Sequence, residues 1–282
     1  MKSLKWICPH CKKPLDTYSK TLRCENNHCF DIAKQGYVNL LPVNQKSSRN
    51  PGDDEKMLLA RSAFLGGNHF QTLQDAMTQS LRQYFDQQDM KEGFILDCGC
   101  GEGHYQRILS AALGSAFHII GIDIAKKGIK LAAAKTKKSD WTDFAVASSA
   151  NIPLPDKSCT AVYSIFSPIQ PREIHRILKE EACFLRVLPG PHHLYEIKKK
   201  IYREAQLHNA PKALEGLSVV VEKSVKFNMH FDMEDTYSNL ISMTPFAWEA
   251  EQRGSEKSLF KAGDRITADF NIQIMKPTPI QE

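Results

Sequence analysis

No stretch of this 282-residue chain approaches the ~20 consecutive apolar residues that a bilayer-spanning helix needs. The opening run Met1-Lys2-Ser3-Leu4-Lys5-Trp6 has no apolar core of the kind a secretion signal carries, so the expected setting is cytoplasmic. A disulfide framework is missing too. The eight cysteines sit either as close pairs near the N-terminus or inside apolar runs, which suits a reducing compartment. Nor is there a strong overall excess of one charge, with 37 basic against 32 acidic residues. That near-balance hides an imbalance. Residues 1–50 hold nine Lys/Arg and three Asp/Glu, a local charge of +6, whereas the other 232 residues hold 28 and 29. A positive excess confined to one small segment points to a polyanionic partner held there. With 42% hydrophobic residues, the chain has material for one large domain and one small one.

The richest local signal is Asp97-Cys-Gly-Cys-Gly-Glu-Gly103, which follows the apolar run Phe94-Ile95-Leu96 and precedes a helical stretch from His104 to Leu113. Strand, glycine turn and helix in that order form a ligand-binding elbow. Glycines at 99, 101 and 103 let a ligand lie on bare main chain, and the helix start offers free N–H groups. A dinucleotide turn would read G-x-G-x-x-G, and a pyrophosphate would be repelled by an acid two residues before the first glycine. D-x-G-x-G-x-G is instead similar to the first motif of S-adenosylmethionine-dependent methyltransferases, whose ligand carries a sulfonium and a free amino group. Asp123, 20 residues beyond Gly103 at the end of a second apolar run, is placed to accept both ribose hydroxyls. Asp97, Gly99, Cys100, Gly101, Gly103 and Asp123 are therefore the expected cofactor residues. After the third strand, the loop Ala147–Pro153 is placed near the adenine, with Ser149 and Asn151 as polar candidates.

Cys8 and Cys11 form a C-x2-C knuckle; after twelve intervening residues Cys24 and His28 form C-x3-H. This is tetrahedral zinc spacing, and four protein ligands with no open position describe a structural site. A module of about 35 residues buries too little to fold without such help. Cys29 is an alternative fourth ligand and His10 a weaker one. Around the ligands, Lys5, Lys12, Lys13, Lys20, Arg23 and Lys34 alternate with Trp6, Tyr18, Phe30 and Tyr37. That mixture can pair with phosphates and stack on unpaired bases.

Residues 42–56 read as a linker or mobile loop. A helix then runs from Asp53-Asp54 to about Phe64, is broken at Gly66-Gly67, and is followed by one from about Gln71 to Phe85 with Leu73, Met77, Leu81, Tyr84 and Phe85 on one face. From Gly93 onward strands and helices alternate: 94–98, 104–113, 117–122, 125–137, 143–147, 160–166, 172–179 and 182–188. The stretches 217–223 and 225–231, a helix near 233–241 and a strand near 267–275 complete the set. The expected fold is α/β: a class I, Rossmann-like methyltransferase with a seven-stranded sheet, preceded by a small zinc-binding domain. The expected division is a zinc-binding RNA-recognition domain at 1–40, a linker and capping helices at 41–92, and the methyltransferase domain at 93–282.

Phe166-Ser167-Pro168, at the end of the fourth strand, is similar to the N/S/D-P-P segment with which many nitrogen methyltransferases hold a planar target. There Phe166 can stack on a base, and the carbonyl before the proline can accept from the target nitrogen. Glu173 and Arg176 read as a helix-start charge and a surface residue rather than catalysts.

Taken together, these residues resemble the bacterial 23S ribosomal RNA guanine-N1 methyltransferases over nearly the whole chain. The knuckle Cys8/Cys11/Cys24/His28 carries the resemblance with Phe30-Asp-Ile-Ala-Lys-Gln-Gly-Tyr-Val-Asn-Leu-Leu-Pro42 and Arg49-Asn-Pro-Gly-Asp53. Asp97–Gly103, Pro189-Gly-Pro-His-His-Leu194 and Met243-Thr-Pro-Phe-Ala-Trp248 complete it. The resemblance implies methyl transfer from S-adenosylmethionine to N1 of a guanine in a domain II hairpin of 23S rRNA, by a homodimer. It also implies cofactor contacts at Phe70, the Gly99–Gly101 turn, Asp123 and His193. Two branches modify neighbouring guanines, and the last two segments look more like the guanine 745 branch than the resistance-linked guanine 748 branch. For the proton on N1, His193, Asp53, Asp54 or water are the candidate acceptors. The competing readings are a methyltransferase of another RNA or a small molecule, and a zinc-ribbon RNA-binding module without catalysis.

Overall fold

The computed structural model describes residues 6–45, 51–136, 141–252 and 261–279. Lys5 of the expected basic set and Arg49 of the family-like segment lie outside the described residues, as does the end of the linker's Gln-Lys-Ser-Ser run.

The chain begins with three short antiparallel strands, β1 (Asp16–Tyr18), β2 (Thr21–Arg23) and β3 (Cys29–Asp31), paired in that order. β4 (Val38–Asn39) follows and turns away from this small sheet, with Val38 keeping one antiparallel bridge to Ile32 just past β3. Two helices come next. α1 (Glu55–Gly66) starts where the Asp54 carboxylate accepts from the Met57 N–H at 2.8 Å, an N-cap that fixes the first turn. α2 (Gln71–Gln87) buries Leu73, Met77, Leu81, Tyr84 and Phe85, the face that the sequence periodicity marks.

The main sheet and its helices then alternate: β5 (Gly93–Cys98), α3 (His104–Leu113), β6 (Phe117–Asp123), α4 (Lys126–Lys135), β7 (Thr142–Val146), β8 (Cys159–Ile165), α5 (Pro171–Ile177), β9 (Leu178–Pro189) and α6 (Tyr195–Ile201). The chain finishes with β10 (Leu217–Phe231), α7 (Glu234–Ser242), α8 (Phe246–Gln252) and β11 (Asp264–Pro277). The sheet order is β10-β11-β9-β8-β5-β6-β7-β4. Pairings from β4 to β9 are parallel, and β11 lies antiparallel to both β9 and β10. β5, β6 and β8 are buried nearly throughout because helices cover both faces of this part of the sheet.

The seven expected strands are β5 to β11, and an eighth joins them. Val38 and Asn39 pair with Ala145 and Val146, so the chain leaving the small sheet extends the edge of the large one. The stretches 217–223 and 225–231 prove to be one strand. Ser224 pairs with Asn271 without interruption, and the irregularity falls at Val219/Val221 instead. β10 is an edge strand exposed along most of its length, so it lacks the burial alternation that would mark its continuity in sequence.

The small sheet also packs on the large one. Ile7 donates its N–H to the Pro153 carbonyl at 3.0 Å, and Cys8, Leu15, Leu22 and Cys24 share a buried cluster with Leu96, Ile120 and Ile152. α1 packs against α7 and touches α3 and α4, which brings it to the carboxyl ends of β5 and β6. Among the described residues no helix is long and apolar enough to cross a membrane.

Candidate active site and metal centre

Cys8, Cys11, Cys24 and His28 converge, with one ligand atom from each lying within 4.8 Å of the others. The edges are 3.7 Å between the Cys11 and Cys24 sulfurs, 3.5 Å from Cys8 Sγ to His28 Nδ1, and 3.4 Å from Cys24 Sγ to the same nitrogen. Ligands at zinc distances of ~2.0–2.3 Å on a tetrahedron stand ~3.4–3.8 Å apart, so the donor set fits Zn²⁺. Main-chain donation from Lys13 pulls the Cys11 thiol down to about 6, favouring the thiolate that a metal requires. The alternative ligands fall away. Cys29 is exposed and its thiol donates to the Asn27 carbonyl at 3.4 Å, while the exposed His10 ring stacks on Phe30. With four protein ligands the site is closed, and the zinc is structural.

The glycine turn sits at the carboxyl end of β5, where strand order reverses between β6 and β8. Gly99, Gly101 and Gly103 have φ of +87°, +55° and +77°, the left-handed region that favours glycine. A side chain at Gly99 would also collide with the Ser167 hydroxyl, and one at Gly103 with Ala132 at 2.9 Å. Gly103 leads into α3 without a side-chain cap, so the first N–H groups of that helix stay available. Asp123 braces the turn from β6: its Oδ2 accepts the Gly101 N–H at 2.8 Å and its Oδ1 accepts the Ala125 N–H at 2.7 Å. Each oxygen keeps a lone pair for a further donor such as a ribose hydroxyl. Burial raises the Asp123 carboxyl, and those two N–H groups oppose the rise.

Asp97 is buried beneath the turn, and its pKa is pushed up to about 8, mainly by burial and further by the charge of Asp123. Cys100 is buried in a cluster with Ile129 and Phe144. Ser149 is half-buried on the loop after β7, a loop whose Ala147 N–H bonds to the Asp123 carbonyl at 3.0 Å. Asn151, expected near the adenine, has its carboxamide engaged by Lys12 of the metal module. Glu173 and Arg176 hold the same loop: Glu173 accepts the Ile152 N–H at 2.7 Å, and Arg176 donates to the Ile152 and Leu154 carbonyls. Arg176 is thus half-buried and structural rather than a surface residue.

An aromatic wall continues from the turn. Phe166 is exposed and has φ of +55°, a costly conformation for a bulky residue and one that clusters at functional sites. Its ring stacks on His193 at 5.7 Å, and His193 in turn packs on Phe270 at 4.7 Å and Phe70 at 6.3 Å. Phe70 is a buried ring behind this wall. His193 Nδ1 accepts the Asp269 N–H at 3.3 Å, so the imidazole proton sits on Nε2. Burial, with His208 and Lys198 nearby, lowers the His193 pKa to about 3. Pro168 is exposed, and the Ser167 carbonyl accepts from the Ser164 hydroxyl at 3.3 Å, leaving one lone pair.

Two residues that shape the site escape a reading by motif. Asp269 pins the loop 189–194: its Oδ2 accepts the His192 N–H at 2.9 Å, and its carbonyl accepts the Gly190 N–H at 2.8 Å. An acid between Ala268 and Phe270 in a buried strand was the available signal. Arg61 on α1 lies with its Nη1 3.5 Å from the side-chain position of Gly101, and it pairs with Asp53 at 2.5 Å. Nothing local in the sequence joins residues 40 positions apart.

A sheet with this strand order, an acid-bearing glycine turn at its switch point and a second acid on the next strand defines a class I methyltransferase using S-adenosylmethionine, here with a zinc ribbon attached. Residues 95–187 match a family model described as a methyltransferase domain, and residues 6–49 match one described as the RlmA N-terminal zinc ribbon. YxjB of Bacillus subtilis, a candidate 23S rRNA (guanine-N1)-methyltransferase, is 32% identical over 95% of both chains. The 23S rRNA (guanine(748)-N1)-methyltransferase of Streptomyces fradiae is 28% identical over 96% of both. The chain belongs to this family of 23S rRNA (guanine-N1)-methyltransferases.

Proposed function

We propose that this protein transfers a methyl group to N1 of a guanine in a domain II hairpin of 23S rRNA, acting in the cytoplasm as a homodimer. Guanine 745 is the expected target rather than guanine 748, on the strength of the segments Pro189–Leu194 and Met243–Trp248. The single observation carrying this reading is the contact between the two halves of the site. Ser167 presses against Gly99 while the adjacent Phe166 is held outward in a strained conformation, so a planar target on that ring would face the ligand cradled by the turn. The basic ribbon, docked through Ile7 and Lys12 beside the loop 147–153, is placed to take the RNA backbone.

The bound cofactor supplies an electrophilic methyl on a sulfonium. The protein's share is positioning and exclusion of water. Phe166 would stack on the extruded base. Phe70, Asp97, Gly99, Cys100, Gly101, Gly103, Asp123, Ser149 and His193 would form the cofactor cradle. The proton on N1 must leave. His193 stays neutral far below physiological pH, and Asp54 caps α1. Asp53 and water are left as the acceptors.

Primer extension on ribosomal RNA from a strain lacking the gene tests the reading. Loss of one stop, at guanine 745, is the expected result. Loss at guanine 748 would overturn the branch assignment, and unchanged stops would overturn the ribosomal substrate.

A further inference from the structure

The segment before α1 crosses the mouth of the glycine turn. A side chain at Gly52 would meet the Ala125 Cβ at 2.7 Å, just past Asp123. One residue on, Asp53 pairs with Arg61, whose guanidinium stands over Gly101. Both charges act on Asp123, Asp53 raising its pKa and Arg61 lowering it. Arg107 and Lys135, also near the turn, are already engaged, since both pair with the buried Glu102. Arg61 and Asp53 are partly exposed, with side chains 28% and 35% accessible, so the pair is held weakly and can exchange partners.

We propose that Arg61 holds the α-carboxylate of the cofactor's amino-acid tail, and that the Asp53 carboxylate occupies that partner position until the cofactor arrives. The tail of S-adenosylmethionine is a zwitterion. Its ammonium suits the acid-rich floor of the turn, but its carboxylate needs a cation, and a guanidinium offers the two-pronged donor that fits it. Arg61 projects from the interior of α1, a helix fixed by its Asp54 cap and its packing on α7, so the fork is held by a rigid element. Arg61 is then a cofactor-binding residue, and Asp53 a resident competitor.

Calorimetric titration of the full, zinc-loaded chain with S-adenosylhomocysteine, its decarboxylated analogue and 5′-methylthioadenosine separates the roles. Arg61→Gln is expected to weaken S-adenosylhomocysteine roughly 10- to 100-fold, the loss of a charge-assisted contact, and to leave the two carboxylate-free ligands within about 2-fold. Equal weakening of all three, or of none, overturns the proposal. Arg61→Lys keeps the charge but not the fork and guards against a folding defect. Its expected signature is a smaller loss confined to the carboxylate-bearing ligand, and an unselective loss counts against the assignment. Asp53→Asn is expected to bind S-adenosylhomocysteine more tightly; weaker binding would show that Asp53 serves the ligand rather than competes with it.

Discussion

Between Trp6 and Gly36 the buried apolar side chains are Ile7, Pro9, Leu15 and Leu22, gathered beside the ligands Cys8 and Cys24. Between Ile95 and Val187, by contrast, whole strands are shielded on both faces, with Ile95, Leu96, Ile119, Val162, Phe184 and Leu185 all fully or almost fully covered. One region is organised by four donor atoms and the other by area removed from water. At ~25 cal/mol per Å² the few side chains of the ribbon cannot offset the ordering of ~30 residues, whereas the sheet can. The ribbon therefore borrows from both sources, metal inside and sheet beneath, through the Ile7–Pro153 bond and β4. Its surface stays free to carry charge.

Removing the metal should have the largest effect and the most local one. Structural zinc supplies an apparent ~10–16 kcal/mol to small modules at neutral pH. After chelation, hydrogen exchange read by mass spectrometry should show β1, β2 and β3 unprotected while β5, β6 and β8 keep their protection. S-adenosylhomocysteine should still bind. If the sheet loses protection together with the ribbon, the two regions are one cooperative unit and the contrast between them fails.

A pair of glycines sharpens the same contrast. Gly36 in the ribbon and Gly99 in the turn have φ of +96° and +87°, yet a side chain at Gly36 meets nothing within 4 Å and one at Gly99 strikes Ser167. Gly36→Ala should cost only the backbone strain, about 1–2 kcal/mol, with cofactor affinity unchanged. Gly99→Ala should cost about 3 kcal/mol or more and abolish measurable cofactor binding, because Ser167 and with it Phe166 must shift. Urea midpoints and calorimetry on the two variants decide it. Equal costs would mean that the Ser167 contact yields freely and does not define the site.

What the sequence makes legible follows the range of each interaction. The zinc ligands, the glycine turn, the Asp54 cap and the apolar face of α2 are encoded within a few dozen residues, and the structure has them where spacing and periodicity put them. Features set by distant partners were not readable. Val38-Asn39 is too short to announce itself as a strand, and only the open edge of β7 makes it one. Lys12, 139 positions from Asn151, donates to its carboxamide oxygen, a pairing that no local pattern encodes. Glu102 reads as a turn residue, yet it is buried and paired with Arg107 and Lys135. The resemblance to a known family supplied Phe70 and His193. Neither would have been singled out by chemistry alone, since an aromatic before a helix and a histidine after Pro-Gly-Pro are ordinary loop residues.

The smallest expected effect lies beneath the turn. Asp97 is held at a pKa of about 8 in the folded chain, whereas a carboxyl in the unfolded chain titrates near ~3.9. Between those values the folded state keeps a proton that the unfolded state has released, so stability falls as pH rises through the window. His193 has the opposite slope. Its folded pKa is lowered to about 3, so the unfolded chain takes up the proton first and stability is lost as pH drops below ~6.5. Urea midpoints of zinc-loaded protein at about pH 6.5 and about pH 8 isolate the Asp97 contribution, because His193 is neutral in both states over most of that range. The wild-type chain should be less stable at the higher pH by about 1–2 kcal/mol, and Asp97→Asn should remove most of that difference. The ribbon lacks a comparably buried carboxyl among its described residues, so its exchange protection should not follow this slope. A saturating concentration of S-adenosylhomocysteine should flatten it further, since the ligand's ammonium favours the ionised Asp97 over the turn. A slope that persists unchanged in Asp97→Asn would assign the pH dependence to another group and leave Asp97 ionised in the folded protein.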